Sequence, residues 1–179
     1  KKNMTTSKVI EHIVNNDLCI GCGVCVALCP NGALEIKKNS YGFLIAEQTG
    51  DCDSYGSCLK TCPFNPSPID EVKTEDELSS IFIKNTSQVT KKIGKYIDIL
   101  AGYSKEYRVS SSSGGIVTYI AVELLENKFV DYVISVQSIE SYKSNYFQYS
   151  LSNSKEDLLL SSKTRYYPVT LADMLMKIK

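Results

Sequence analysis

Tryptophan is absent from the 179 residues, and histidine occurs once, at His12. The missing tryptophan carries no functional reading beside 12 tyrosines. An excess of either charge is missing too, because twenty basic residues cancel twenty acidic ones. Up to Asp70 the split is six basic against seven acidic, and beyond it fourteen against thirteen. Neither part therefore offers a basic field for nucleic acid or an acidic tail. No apolar run approaches the roughly 20 residues of a membrane-crossing helix, and no signal-peptide pattern opens the chain. Seven cysteines are then poorly explained as secreted disulfides, and their odd number argues the same way. The chain opens at Lys1 with Met4 nearby, and 168–176 reads as an amphipathic helix running to the end, so a piece of a longer protein is expected.

What is present in quantity is cysteine at close spacing. Cys19, Cys22, Cys25 and Cys29, followed by Pro30, form a C-x2-C-x2-C-x3-C-P run. This resembles the bacterial-ferredoxin signature, in which three thiolates on a tight loop share one cluster and the fourth ligates another. Gly21 and Gly23 alternate with the ligands where a loop wrapped round a cluster needs unusual backbone angles. Ile20, Val24, Val26 and Leu28 supply apolar surroundings, one of the levers on cluster potential.

Adding 33 takes Cys19 to Cys52, Cys25 to Cys58, Cys29 to Cys62, Pro30 to Pro63 and Gly23 to Gly56. Such self-similarity marks a duplicated unit. In the ferredoxin wiring, Cys19, Cys22, Cys25 and Cys62 complete a 4Fe–4S site. Cys29, Cys52 and Cys58 make a second site with three thiolates, since Cys22 maps onto Tyr55. That second site is read as a 3Fe–4S cluster, as a 4Fe–4S cluster with Asp51, Asp53 or water as a further ligand, or as empty. Occupancy is preferred because all three thiols keep register. Tyr55 is read as packing rather than ligation. Zinc is the rival metal, because structural zinc sites use paired C-x2-C knuckles. Four cysteines within eleven residues ending in proline favour iron–sulfur, and with it a reducing, cytoplasmic setting.

Around the cysteines, 8–16 reads as a short helix, and 33–36 with 43–46 as a hairpin about a Gly42 turn. The Pro-punctuated 64–68 ends the module. Thr74 caps a helix whose first turn holds Glu75, Asp76 and Glu77. A strand is expected over 96–103, a helix from Gly114 to Leu125 closed by Asn127 and Lys128, and a β-branched strand over 130–136. Another strand follows over 146–151, then a helix capped by Ser154. The expected fold class is α+β. A two-cluster ferredoxin-like domain (1–69) leads through a helix and linker (70–94) into a partial α/β domain of β–helix–β order (95–179).

Between the expected strand and helix lies RVSSSSGG, from Arg108 to Gly115. Small residues at a helix start let backbone N–H groups approach a phosphate, and Arg108 adds a cation. A flexible Ser/Gly linker ahead of a capped helix explains the same residues. Spacing alone does not separate these, and neither a G-x-G-x-x-G nor a P-loop pattern is present. The segment RVSSSSGGIVTYIAVELLENKFVDYVISV, with CIGCGVCVALCP before it and KTRYYP after it, resembles the coenzyme F420 hydrogenase/dehydrogenase beta subunit family.

The resemblance implies an iron–sulfur flavoprotein that binds FAD and passes electrons between clusters, flavin and a redox partner subunit or coenzyme F420. It places Ser112, Ser113, Gly114 and Gly115, with Arg108 beside them, in a flavin-binding loop. Lys163 and Tyr166 fall where that family has a glycine–serine–lysine–tyrosine segment, although this chain reads SSKTRYYP there. The alternative is a ferredoxin-type electron carrier without flavin. His12 is read as a surface helix residue, and the tyrosines at 142, 146, 149, 166 and 167 as half-buried packing rather than flavin stackers.

Overall fold

Valine, isoleucine and cysteine dominate the first core, and their spacing explains the short elements around it. A computed structural model describes residues 5–66, 74–139 and 146–179. Tyr142, and Ser67 and Pro68 of the expected connector, lie outside the described residues. The chain divides into two compact units, Lys1–Phe64 with Tyr103–Lys179, and Asn65–Gly102. Secondary structure is helical with small sheets, compatible with the α+β class.

In the first unit, α1 (Lys8–His12) runs into a 3-10 turn at Val14–Asn16. Two one-turn helices follow the cysteine loops, α2 (Val24–Ala27) and α3 (Ser57–Lys60). Between them β1 (Leu34–Lys38) pairs antiparallel with β2 (Leu44–Gln48), from Leu34 opposite Gln48 to Lys38 opposite Leu44. Asn39 closes this hairpin by accepting from the N–H groups of Tyr41 and Phe43 through its side-chain oxygen, both at 3.0 Å. Val9, Ile13, Cys25, Val26, Leu34, Ala46 and Cys58 form the core, and Ala172 joins them from the far end of the sequence. Ala172 opens α7 (Ala172–Ile178).

The remainder of that unit is built on α5 (Ile116–Glu126), β5 (Val133–Ser138), β6 (Phe147–Ser152) and α6 (Lys155–Leu159). β5 and β6 pair antiparallel, from Val133 opposite Ser152 to Ser138 opposite Phe147. Ser154 starts α6 by accepting from Asp157 N–H at 3.2 Å, as its residue type at that position predicts. Tyr107, Val122, Leu125 and Leu158 make a second core.

The second unit holds α4 (Glu75–Phe82) and a two-residue pairing of β3 (Val89–Thr90) with β4 (Gly94–Lys95). Thr74 and Glu77 form a reciprocal capping box at the start of α4. The strand expected over 96–103 does not form. Ile97, Ile99 and Leu100 are 72, 64 and 87 % exposed, and this segment joins no ladder among the described residues, so β-branched propensity alone does not hold it extended in a sheet. With no strand entering α5, the expected β–helix–β order becomes a helix followed by an antiparallel pair.

Candidate metal centre

The sequence repeat is a structural one. Gly23 and Gly56 stand immediately before α2 and α3 with φ of +83° and +74°, and each helix carries a buried cysteine in its first turn, Cys25 and Cys58. A left-handed residue there turns the chain sharply from the cysteine loop into the helix, which glycine adopts without a Cβ penalty. Gly23 has a second reason to be bare. A Cβ on it would lie 2.7 Å from the Ala172 nitrogen and 2.8 Å from Ala172 Cβ. The loop is further tied to that segment by Leu171 N–H, which donates to Cys22 C=O at 2.8 Å.

All seven cysteines are free thiols, and they sort into two cavities. Cys19, Cys22, Cys25 and Cys62 line one, with Val9, Ile13, Val24, Ile36 and Phe64 around them. Cys29, Cys52 and Cys58 line the other, with Ser7, Pro30, Ala33, Leu34, Asp53 and Tyr55. Each is narrow, with about 20 Å³ of open space. Among the described residues no three His, Cys, Asp or Glu side chains form a group suited to one metal ion. The division into four and three thiols, with the C-x2-C-x2-C-x3-C-P spacing, matches iron–sulfur ligation more closely than the paired C-x2-C knuckles of structural zinc.

Electrostatics fit the same group. Burial, then the neighbouring Cys22, Cys19, Cys58 and Cys62, push the Cys25 thiol up to about 12. Cys62 is also raised, first by burial, against a lowering hydrogen bond from the Phe64 backbone and with further raising by Cys22, Cys19 and Cys58. Thiolates crowded this way repel one another, and a cationic metal core relieves that repulsion as the protons leave. Two further backbone donors face sulfur: Ala33 N–H reaches Cys29 Sγ at 3.3 Å, and Ser54 N–H reaches Cys52 Sγ at 3.4 Å.

Other sequence-predicted residues fall elsewhere. Tyr55 is 78 % exposed at the edge of the second cavity, and Asp53 Oδ1 accepts from Tyr55 N–H at 3.0 Å. Asp51 is exposed and does not line that cavity. His12 lies exposed on α1 beside Glu11.

In the Ser/Gly loop, Gly115 caps α5 with φ +75°, and a Cβ there would lie 2.7 Å from Tyr107 carbonyl carbon. Gly114 C=O accepts from Ser104 N–H at 2.8 Å. Ser112 Oγ accepts from Thr164 N–H at 2.9 Å, and Ser162 Oγ donates to Ser110 C=O at 3.2 Å. The loop therefore meets the SSKTRYYP segment, next to Lys163. Ser113 is exposed, and the Arg108 guanidinium lies over the Tyr103 ring at 4.7 Å. Tyr166 is 98 % exposed, whereas Tyr167 packs edge-on against Tyr146 and Phe147.

Sequence reasoning missed a cavity of about 430 Å³ lined by Val26, Glu35, Ile36 and Leu44 together with Phe147, Tyr149, Pro168–Thr170, Met174 and Lys177. Ile36 lines both this cavity and the first cysteine cavity. Its walls come from segments far apart in sequence, and no local pattern announces that meeting. No helix among the described residues is long and apolar enough to cross a membrane.

Comparison with known proteins covers both parts of the chain. Residues 18–66 match the 4Fe-4S dicluster domain, and residues 99–176 match the N-terminal region of the coenzyme F420 hydrogenase/dehydrogenase beta subunit. A ferredoxin of Pyrobaculum islandicum is 43 % identical over 57 residues, covering 32 % of this chain and 50 % of that protein. The coenzyme F420-dependent sulfite reductase of Methanocaldococcus jannaschii is 26 % identical over 164 residues, 90 % of this chain and 22 % of that protein. An uncharacterised ferredoxin of the same organism is 38 % identical over 64 residues, 36 % of this chain and 83 % of that protein. The chain thus spans half the length of the first of these relatives and about a fifth of the second. The ferredoxin matches and the 4Fe-4S domain support iron–sulfur electron transfer as its chemistry. The chain thus carries a ferredoxin-type 4Fe-4S dicluster domain, followed by a segment similar to the N-terminal region of the coenzyme F420 hydrogenase/dehydrogenase beta subunit.

Proposed function

We propose that this chain is an electron-transfer module in which Cys19, Cys22, Cys25 and Cys62 hold a 4Fe–4S cluster and Cys29, Cys52 and Cys58 hold three corners of a second. The observation that carries the reading is the division of seven thiols into a set of four on one cavity and three on another. Iron–sulfur clusters supply one-electron transfer, and a flavin joins such steps to two-electron chemistry. The protein's part is to crowd and bury the thiols, aim backbone N–H groups at sulfur and keep water from the first cavity with Val9, Ile13 and Ile36.

In the fuller form of this reading the chain works with FAD and passes electrons to a partner subunit or to coenzyme F420. Two observations support it: the family match over residues 99–176, and a cavity of about 430 Å³, within the range of cofactor sites, that shares Ile36 with the first cysteine cavity. A carrier without flavin is the second reading. It is favoured by the Ser/Gly loop itself, whose Gly115 is required by Tyr107 and whose Ser112 already accepts from Thr164. Anaerobic reconstitution followed by iron, sulfide and flavin analysis tests all of this. Iron and sulfide for two clusters are expected. Zinc without labile sulfide refutes the module, and clusters without flavin select the carrier.

A further inference from the structure

Ser7 stands immediately before α1, where a serine ordinarily caps a helix, yet its side chain makes no cap hydrogen bond. Its backbone is fully used. The N–H donates to Gln48 Oε1 at 2.8 Å, and the C=O accepts from Ile10 and Glu11 at 3.0 and 3.1 Å. The residue is only 2 % exposed, and Ser7 Oγ has no hydrogen-bond partner among the described residues. Leaving a buried hydroxyl unpaired is costly, so such groups usually answer to a water, an ion or a ligand.

The place of this hydroxyl is informative, because Ser7 lines the same cavity as Cys29, Cys52 and Cys58. That cavity lacks a fourth thiol, since Tyr55 occupies the repeat position and faces solvent. A neutral serine hydroxyl offers one proton and two lone pairs. Toward a sulfur-rich, negatively charged group it acts as a donor without losing its proton, whereas ligation through oxygen would require that loss.

We propose that Ser7 Oγ–H donates a hydrogen bond to a sulfur of the second centre and thereby raises that centre's reduction potential. The inference rests on the reading that Cys29, Cys52 and Cys58 hold a cluster. Hydrogen bonds to sulfur stabilise the more negative, reduced state and are among the levers on cluster potential. Among the described residues no other role for the hydroxyl is visible, as neither the helix cap nor a neighbouring polar group uses it.

The test is a redox titration of the anaerobically reconstituted chain, followed by paramagnetic resonance, with Ser7→Ala and Ser7→Gly beside the parent. The second-centre signal is identified as the one lost in Cys52→Ser. Ser7→Ala is expected to lower the reduced-to-oxidised ratio of that centre about tenfold at a fixed potential, about 59 mV for a one-electron couple. Ser7→Gly, which removes the same donor without adding a ligand, gives a shift of the same sign and size. The first centre stays where it was and serves as the internal control for folding. Should Ser7→Ala lose the second cluster outright, Ser7→Gly carries the comparison. A second centre unmoved by these variants, or both centres moved equally, overturns the role of Ser7 alone. Iron and sulfide for a single cluster in the parent chain overturn the two-centre reading and this role together.

Discussion

Replacing Gly23 by alanine separates two costs that the structure predicts to be unequal. Any L-residue at φ +83° pays about 1–2 kcal/mol for the left-handed backbone. At this site the new methyl also meets Ala172 nitrogen at 2.7 Å and Ala172 Cβ at 2.8 Å. Those atoms belong to a packed helix start, so they do not swing aside, and overpacking of this kind costs about 1–3 kcal/mol more. Gly42 is the control: its φ is +84°, but no described atom lies within 4 Å of an added Cβ. Gly42→Ala should therefore cost the backbone part alone, and Gly23→Ala about 1–3 kcal/mol beyond it.

Urea denaturation of the iron-loaded chain, followed by both cluster absorbance and circular dichroism, measures the two midpoints at unchanged slope. Hydrogen exchange adds a local readout, because Leu171 N–H loses protection if the loop is pushed from Cys22 C=O. Equal midpoint shifts for the two variants, with Leu171 still protected, would refute the claim that the cysteine loop and the 170–172 segment are in close contact.

The remaining expectations concern the thiols and a helix cap. Cys62→Ser should remove the first cluster and leave the second, and Cys58→Ser the reverse, read as iron and sulfide per chain. Loss of iron from both sites in each variant would contradict the separate cavities. In the iron-free chain, Cys25 keeps its proton up to about 12 when folded, against 9.0 for an ordinary thiol. Its contribution to stability is whole below about pH 9 and is lost as pH rises through about 12, so denaturation midpoints of the apo-protein should fall across that window. A midpoint that rises there would reverse the sign of the argument. Ser154→Ala removes the acceptor for Asp157 N–H and should cost about 1 kcal/mol by chemical denaturation. An unchanged midpoint in that variant would show the cap to be idle.

Sequence is most informative where structure is local. The 33-residue cysteine repeat, the hairpin about Asn39–Gly42, and the caps at Thr74 and Ser154 each depend on residue types at fixed, readable offsets. The segment over 96–103 misleads because β-branched side chains favour an extended chain but cannot supply the neighbouring strand that makes a ladder. Ala172 reads in sequence only as part of an amphipathic run, yet it enters the ferredoxin core, and its partners Val26 and Cys25 share no local pattern with it. Ser7 escapes notice for a related reason. A lone serine before a helix reads as a cap, and only the structure shows its hydroxyl buried with no cap hydrogen bond.

The bond from Leu171 to Cys22, with Ala172 seated among Val9, Ile13 and Val26, bears on the order in which this molecule matures. Chains emerge from the ribosome amino end first. The cysteine loops are thus made long before Ala172, which joins the same core. The amino-terminal core is therefore closed by a residue made more than a hundred positions after its cysteines.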